Sequence, residues 1–250
     1  MPESELVVYS IEAGVARIRL DRPEKRNALS LELIEALSAA IDRAASEPDL
    51  RVVLFEGTDP CFCAGLDLKA ALEEPDVMRP MLLGLAQTTV SIRRLDAPTI
   101  AKVQGAAIGG GCGLMVVCDF AVTHPEAKLG YPEVDFGISP AVVAPWLVRK
   151  IGPGAARAML LAGGTMNGRE GFDAGLATSL VEQDALEETV EDLIGRLLKS
   201  GRQATIATKR CLNELDGANV EDDVLRGAEL SAEIIRGEEA QDRLKRRFSQ

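Results

Sequence analysis

Histidine is almost absent from the sequence, since His124 is the one histidine among 250 residues. A metal site built from several histidines is therefore excluded, and any histidine-dependent catalytic triad would depend on this residue alone. The surrounding segment, residues 123–127, contains Pro125 and is typical of an exposed turn. We therefore expect any catalysis to come from carboxylates and from the backbone.

The chain also lacks long hydrophobic runs, paired cysteines and a basic charge balance. No apolar run reaches the ~18 residues of a membrane span, and the acidic N-terminal segment lacks the apolar stretch of a signal peptide. The five cysteines are scattered, and no CxxC pair occurs. The formal net charge of −11 argues against nucleic acid as a main partner. We expect a cytoplasmic protein, kept in a reducing environment, that binds neither membranes nor nucleic acid.

Strand and helix patterns alternate along the first part of the chain. Short apolar or alternating runs predict strands at residues 7–10, 15–20, 51–56, 99–103, 120–123 and 179–181. Helical spacing predicts helices after the N-cap Ser30, at 76–95 with an interruption at Pro80, at 112–118, within 142–198 and across 202–247. This order indicates an α/β fold, whose topology the periodicity does not specify.

Two glycine-bearing segments carry the clearest chemical signal. They read Cys61-Phe62-Cys63-Ala64-Gly65-Leu66-Asp67-Leu68 and Gly105-Ala106-Ala107-Ile108-Gly109-Gly110-Gly111-Cys112-Gly113-Leu114. Each follows a run that is typical of a buried strand and opens into a helical stretch. Glycine at such a turn lets backbone N–H groups point outward without obstruction by Cβ. Two such turns can aim two N–H donors at one oxygen and stabilise an enolate or another oxyanion.

These segments resemble the two oxyanion-hole motifs of the crotonase superfamily, the enoyl-CoA hydratase/isomerase family. Further similarity follows in family order, at Arg22-Pro23-Glu24-Lys25-Arg26-Asn27-Ala28-Leu29, Cys118-Asp119, Tyr131-Pro132-Glu133, Gly137 and Pro140. The resemblance covers most of the chain and fades after about residue 185, where helical character and a basic C-terminus remain.

The resemblance implies a fold, an assembly and a substrate class. The fold would be a crotonase-like spiral of β-β-α units over residues 1–195, with a C-terminal helical trimerisation region over 196–250. The assembly would be a homotrimer or a dimer of trimers. The substrate would be an acyl-CoA thioester, with no metal and no cofactor besides the coenzyme A that the substrate carries.

The resemblance also assigns site residues. The oxyanion donors would be the backbone N–H groups of Leu66 and Gly110, and the acid/base would be Glu133. Coenzyme A contacts would come from Lys25, Arg26, Ala28 and Ala64, with Asp67 organising the turn beside them. Lys245, Arg246 and Arg247 resemble the basic end of the family's last helix, which can reach coenzyme A in a neighbouring subunit, but their register is offset by a residue.

The family's second glutamate is replaced by Gly113, which leaves the reaction open. Some family members that resemble methylglutaconyl-CoA hydratases also have glycine there and a stretch similar to residues 139–145, which favours reversible hydration of a 2-enoyl-CoA. A single Glu133 could instead move a proton between C2 and C4, as in a Δ3/Δ2-enoyl-CoA isomerase. A non-catalytic CoA-binding protein is a third alternative, and RNA binding, which some relatives show, is opposed by the charge balance.

Overall fold

The computed structural model describes residues 6–217 and 219–249. Its strands are β1 (Val7–Glu12), β2 (Val15–Leu20), β3 (Val52–Gly57), β4 (Cys61–Cys63), β5 (Thr99–Val103), β6 (Ala106–Ile108), β7 (Phe120–Thr123), β8 (Lys128–Gly130), β9 (Thr165–Asn167) and β10 (Ser179–Leu180). Its α-helices are α1 (Leu31–Ala45), α2 (Leu68–Glu73), α3 (Met78–Arg94), α4 (Gly110–Val117), α5 (Ala144–Ile151), α6 (Pro153–Ala162), α7 (Gly168–Asp173), α8 (Leu186–Lys199), α9 (Arg202–Leu215), α10 (Val220–Ile235) and α11 (Glu238–Phe248). Short 3-10 helices span Pro23–Lys25, Pro75–Val77, Glu133–Phe136 and Gln183–Ala185.

The strands form two sheets that are built from the same repeated step. The larger sheet has the order β1-β2-β3-β5-β7-β10, and the smaller has the order β4-β6-β8-β9. In the consecutive pairs β3/β4, β5/β6 and β7/β8, the first strand joins the larger sheet and the second joins the smaller. Successive pairs lie side by side and parallel in both sheets. With the helices between them, these pairs form the predicted spiral of β-β-α units, so the expected fold class is confirmed.

Local sequence explains how several elements begin. β1 and β2 form the expected hairpin through Ala13 and Gly14, whose φ angles are 49° and 80°, as a two-residue hairpin turn requires. The Ser30 side chain accepts a hydrogen bond from the Leu33 amide at 3.3 Å and caps α1 as predicted. The predicted interruption at Pro80 is wrong. Pro80 lies in the first turn of α3, where the N–H that proline lacks has no helical acceptor.

None of the four strands of the smaller sheet, β4, β6, β8 and β9, was predicted from the sequence. Each has three residues, too few for alternation to be visible. Strand β9 pairs antiparallel with β8 at the edge of this sheet. This pairing returns the chain that follows α6 to the smaller sheet, which also contains β4 and β6.

The core fills the space between the sheets and the helices, and a smaller apolar cluster holds α8 on the outer face of the larger sheet. After α9, the chain returns over its own core, because α10 packs against α3 and α5. Helix α11 then packs against α2 and the 3-10 helix Glu133–Phe136. No helix in the described part of the chain combines the length and hydropathy needed to cross a bilayer.

Candidate active site

The residues that the sequence predicted for the site converge on one cavity of about 630 Å³. Those lining it are Lys25, Arg26, Ala28, Ala64, Leu66, Asp67, Gly110 and Glu133. Another cavity, of about 600 Å³, lies between α5 and α9 and contains none of them. The first cavity is therefore the candidate active site, because it combines the glycine turns with a carboxylate and several cations.

The two glycine turns touch each other at the cavity. Gly65 has a φ of 89°, and a methyl group at its Cα would lie 2.6 Å from the Ile108 carbonyl oxygen and 3.5 Å from the Gly110 amide nitrogen. Gly109, at the other turn, has a φ of 54°. A side chain is strained at a positive φ angle, and at Gly65 it would also clash with the Ile108 carbonyl. Both turns therefore need glycine.

The amides at these turns are available to a ligand. The Leu29 amide donates to the Gly65 carbonyl at 2.8 Å, and the Leu29 carbonyl accepts from the Asp67 amide at 2.9 Å. The Leu66 N–H, which lies between these two bonds, takes no part in them. Gly110 is the first residue of α4, so its N–H has no acceptor within the helix. Within residues 6–217 and 219–249, neither amide donates a hydrogen bond to another backbone or side-chain group. The positive end of the α4 dipole adds to the field at Gly110.

Glu133 lies beside the second turn. A methyl group at Gly109 would lie 2.8 Å from its Oε1 atom, so a side chain there would force this carboxylate to shift. Its Oε2 atom is buried and has no hydrogen-bond partner in the described part of the chain. Burial raises the pKa of Glu133 to about 7, and the charge of Asp135 contributes in the same direction, against a backbone hydrogen bond that lowers it. At neutral pH the group can therefore both accept and donate a proton.

The backbone fixes where Glu133 sits. The residue begins the 3-10 helix Glu133–Phe136, which ends at Gly137 with a φ of 71°. The Ile138 amide donates to the Glu133 carbonyl at 2.9 Å, and the Asp135 carboxylate accepts from the Gly164 amide at 2.9 Å. These bonds tie the short helix to the chain that follows it and to the turn before β9.

The space beside Gly113 is already filled. A methyl group at Gly113 would lie 2.5 Å from Cγ1 of Val143, a residue that is fully buried. A longer side chain at position 113 would need Val143 to move. Packing therefore explains why glycine stands at this position. The described carboxylates that line the cavity, Asp67, Glu133 and Asp135, come from other segments.

Cations outnumber carboxylates in the lining of the cavity, although the protein as a whole is acidic. The cations that line it are Lys25, Arg26, Lys69, Lys128 and Arg247, against the carboxylates Asp67, Glu133 and Asp135. Five cations against three carboxylates give this cavity a locally positive lining, which suits the phosphates of a nucleotide.

The segment that presents Lys25, Arg26 and Ala28 is held by buried polar contacts. Asn27 is fully buried, and its Nδ2 atom donates to the carbonyls of Thr58 and Cys61, both at 2.8 Å. Arg22 donates to the Asp67 carboxylate at 2.9 Å and to the Ala28 carbonyl at 3.0 Å. The Arg22–Asp67 pair thus joins this segment to the first glycine turn, as the turn-organising interpretation of Asp67 requires.

Sequence reasoning left out some residues at the cavity. Lys69, Lys128 and Phe136 line it without any motif that distinguishes them, and Arg247 reaches it from α11 of the same chain. The basic end of the last helix was the available signal for Arg247. Here the helix covers its own chain's cavity.

The expectation of an exposed His124 is wrong. The residue is 3% exposed, and its ring nitrogens lie 3.1 Å from the Gln104 carbonyl and 3.1 Å from the Glu126 carboxylate. It bridges the ends of β5 and β7 and does not line the cavity. The cysteines beside the turns are buried, and burial raises the pKa of both Cys63 and Cys112 to about 12, which leaves them unsuited to act as thiolate nucleophiles.

Comparisons with known proteins agree with this fold and cavity. The sequence profile of the enoyl-CoA hydratase/isomerase family matches residues 10–243, which extends the resemblance well beyond residue 185, where the motifs alone lose it. A crotonyl-CoA hydratase of Syntrophomonas wolfei is 31% identical, over 84% of this chain and 82% of its own. An enoyl-CoA isomerase/hydratase of Mycosarcoma maydis is 33% identical, over 87% of this chain and 82% of its own. The crystal structure of an enoyl-CoA hydratase from Bacillus halodurans is 25% identical and superposes with a TM-score of 0.89, over 96% of this chain and 99% of that one.

Proposed function

The chain belongs to the enoyl-CoA hydratase/isomerase family of enzymes, and we propose that it catalyses the reversible hydration of a 2-enoyl-CoA. The observation that carries this proposal is the buried carboxylate of Glu133, with a pKa of about 7, beside two turns whose amides have no partner in the described residues. Relatives that are named hydratases, at about 30% identity or more, support the choice of reaction.

In the proposed reaction, the thioester oxygen accepts hydrogen bonds from the N–H groups of Leu66 and Gly110. One such donor typically lowers the barrier by ~3 kcal/mol. The oxygen of a water molecule forms a bond to C3 while its proton passes to the Glu133 carboxylate, and the C2–C3 double bond becomes the enolate. Protonated Glu133 then delivers a proton to C2. The sum is the addition of one water molecule, so one carboxyl group can serve both steps.

Coenzyme A would lie along the cations that line the cavity. Lys25, Arg26 and the backbone of Ala28 and Ala64 would contact its nucleotide, and Asp67 would hold the first turn in place through Arg22. No metal or redox group takes part in this proposal.

An isomerase is the second candidate, and one observation favours it. Val143 occupies the space beside Gly113, so the second carboxylate of a two-acid hydratase has no room there. With Glu133 alone, removal of a proton from C2 and its return to C4 would move the double bond without adding water.

Two separate incubations distinguish these reactions. A 2-enoyl-CoA should give a 3-hydroxyacyl-CoA, seen as the mass gain of one water and the loss of the conjugated enoyl absorbance. If a 3-enoyl-CoA is converted to the 2-enoyl isomer and neither substrate gives a hydroxyacyl product, the protein is an isomerase and the hydratase proposal is wrong. Glu133→Gln should lower turnover by roughly 10²- to 10⁴-fold. No turnover of either substrate by the wild type would favour a non-catalytic CoA-binding protein.

We also propose that the chain assembles as a homotrimer or a dimer of trimers through residues 196–250. Several large apolar side chains on this region are solvent-exposed in the single chain, namely Leu212, Leu215, Leu230 and Ile234. Light scattering after size exclusion should give three or six times the monomer mass, and a monomer across the working concentration range would refute this.

A further inference from the structure

Apolar side chains line the candidate cavity as well as cations. Leu82, Leu85, Ile138 and Val142 line the apolar part. This part adjoins the second glycine turn, because a methyl group at Gly110 would lie 2.9 Å from Cδ2 of Leu85. If the proposed function holds, the thioester oxygen lies at Gly110, and the acyl chain extends into the apolar part.

One wall of that apolar part comes from residues 138–142, which we call the wall segment. It is a loop between the 3-10 helix of Glu133 and helix α5, and its residues Ile138, Ser139, Pro140 and Val142 line the cavity. A turn hydrogen bond from the Val143 amide to the Pro140 carbonyl, at 3.2 Å, holds the end of this loop. The Ser139 carbonyl and the Val142 amide have their partner outside the loop, so a neighbouring element must support this part of it.

Helix α10 supplies that support from behind. Ser231 is fully buried, and its hydroxyl donates to the Ser139 carbonyl at 2.8 Å and accepts from the Val142 amide at 3.3 Å. One turn earlier on the same helix face, Gly227 allows a very close approach, since a methyl group there would lie 2.1 Å from the Ala141 carbonyl oxygen. One hydroxyl therefore satisfies two backbone groups of the wall segment while the helix backbone lies directly against it.

Packing holds the C-terminal end of the wall segment in place. Val143, the next residue, is fully buried and fills the space beside Gly113 in α4. The segment is thus confined between α4 and α10, and the Ser231 hydroxyl is the side-chain group that bonds it to α10.

We propose that Ser231 is a positioning residue that sets the acyl-chain selectivity of this site by holding the wall segment against α10. This inference rests on the proposed function, because it needs the acyl chain in the apolar part of the cavity. Ser231 does not touch the substrate. It fixes the depth of the pocket through the two backbone groups that it bridges.

The test compares Ser231→Ala with a matched control on the same helix. Ala232→Gly alters a buried neighbour of Ser231 and weakens α10 without removing a hydrogen bond to the wall segment. Binding of saturated butanoyl-, hexanoyl- and octanoyl-CoA is measured by calorimetry, so that the readout does not depend on turnover. The ratio of kcat/KM for the corresponding 2-enoyl-CoAs is measured alongside.

Ser231→Ala removes both hydrogen bonds to the wall segment. We expect it to change the ratio of octanoyl- to butanoyl-CoA affinity by about fivefold, which corresponds to the net contribution of one of them. The kcat/KM ratio should move in the same direction, and Ala232→Gly should leave both ratios unchanged although it lowers the melting temperature. Ser231→Cys, which keeps the size of the side chain but hydrogen-bonds more weakly, should change both ratios in the same direction by a smaller factor, and serves if Ser231→Ala fails to fold.

These measurements distinguish failure of the proposed function from failure of the positioning role of Ser231. If the wild type binds no acyl-CoA, the proposed function is wrong and this inference fails with it. If the wild type binds the series but the ratios are the same in Ser231→Ala, or change equally in Ala232→Gly, the proposed function stands and the positioning role is refuted.

Discussion

Replacing Glu133 with glutamine should stabilise the folded protein above neutral pH while it removes the activity. Burial raises the pKa of Glu133 from 4.5 to about 7. Between these values the folded protein binds more protons than the unfolded chain, so the free energy of unfolding falls as the pH rises through this window. Below this window Glu133 is protonated in both states, so its burial does not cost the energy of a buried charge. Above the window the folded protein carries that full cost.

The pKa difference sets the magnitude. A rise from 4.5 to about 7 corresponds to about 3 kcal/mol, at about 1.4 kcal/mol for each pH unit. Glutamine has nearly the same volume but cannot ionise, so the variant should not lose this stability. The two proteins should unfold with similar free energies near pH 4.5 and differ by about 3 kcal/mol near pH 8.

Urea denaturation at fixed protein concentration measures this difference. Trp146, the one tryptophan of the chain, is buried and gives a fluorescence probe. Asp135→Asn is the matched control, because it removes a neighbouring charge while it keeps Glu133, and it should lower the pKa of Glu133. An equal difference between Glu133→Gln and the wild type at both pH values would refute the claim that burial sets this pKa.

Three further substitutions test the packing beside Gly113, an ion pair away from the site and the first glycine turn. Gly113→Ala places a methyl group 2.5 Å from the Val143 side chain and should lower the free energy of unfolding by about 1–3 kcal/mol in urea denaturation. Val143→Ala should recover part of this loss in the double variant. An unchanged free energy of unfolding in Gly113→Ala would contradict the close packing. Lys209→Met removes a buried ammonium group that lies 2.7 Å from Asp119. Because Asp119 keeps Arg93 and the Thr99 amide as partners, the free energy of unfolding should fall by about 1–3 kcal/mol, and a neutral effect would show that the pair contributes little. Gly65→Ala should lower kcat by roughly 10²- to 10³-fold because it displaces a proposed oxyanion donor, and steady-state kinetics with near-normal turnover would exclude that role for the first turn.

The sequence predicted the elements of the fold better than their arrangement. Alternation and capping identified β2, β5, β7 and the start of α1 because these signals lie within a few neighbouring residues. The spiral itself came from the resemblance. Its strand pairs β3/β4, β5/β6 and β7/β8 differ in length and are followed by different helices, so no internal repeat is visible in the sequence.

Long-range packing accounts for what the sequence reading missed. The turn around His124 was predicted, but its burial depends on which strand end lies beside it, and Gln104 is 20 residues earlier. The same applies at the site. The family resemblance indicated Leu66, Gly110 and Glu133, whereas no local signal indicates that Val143 fills the space beside Gly113, 30 residues away.

The central claim is that two main-chain amides and one carboxylate meet at a single thioester. A crystal structure of Glu133→Gln with a bound 2-enoyl-CoA tests it most directly. The account predicts the thioester oxygen at about 2.7–3.1 Å from the amide nitrogens of both Leu66 and Gly110, with the side chain at position 133 facing C2 and C3. A thioester bound elsewhere in the cavity, or held by only one of the two amides, would contradict it.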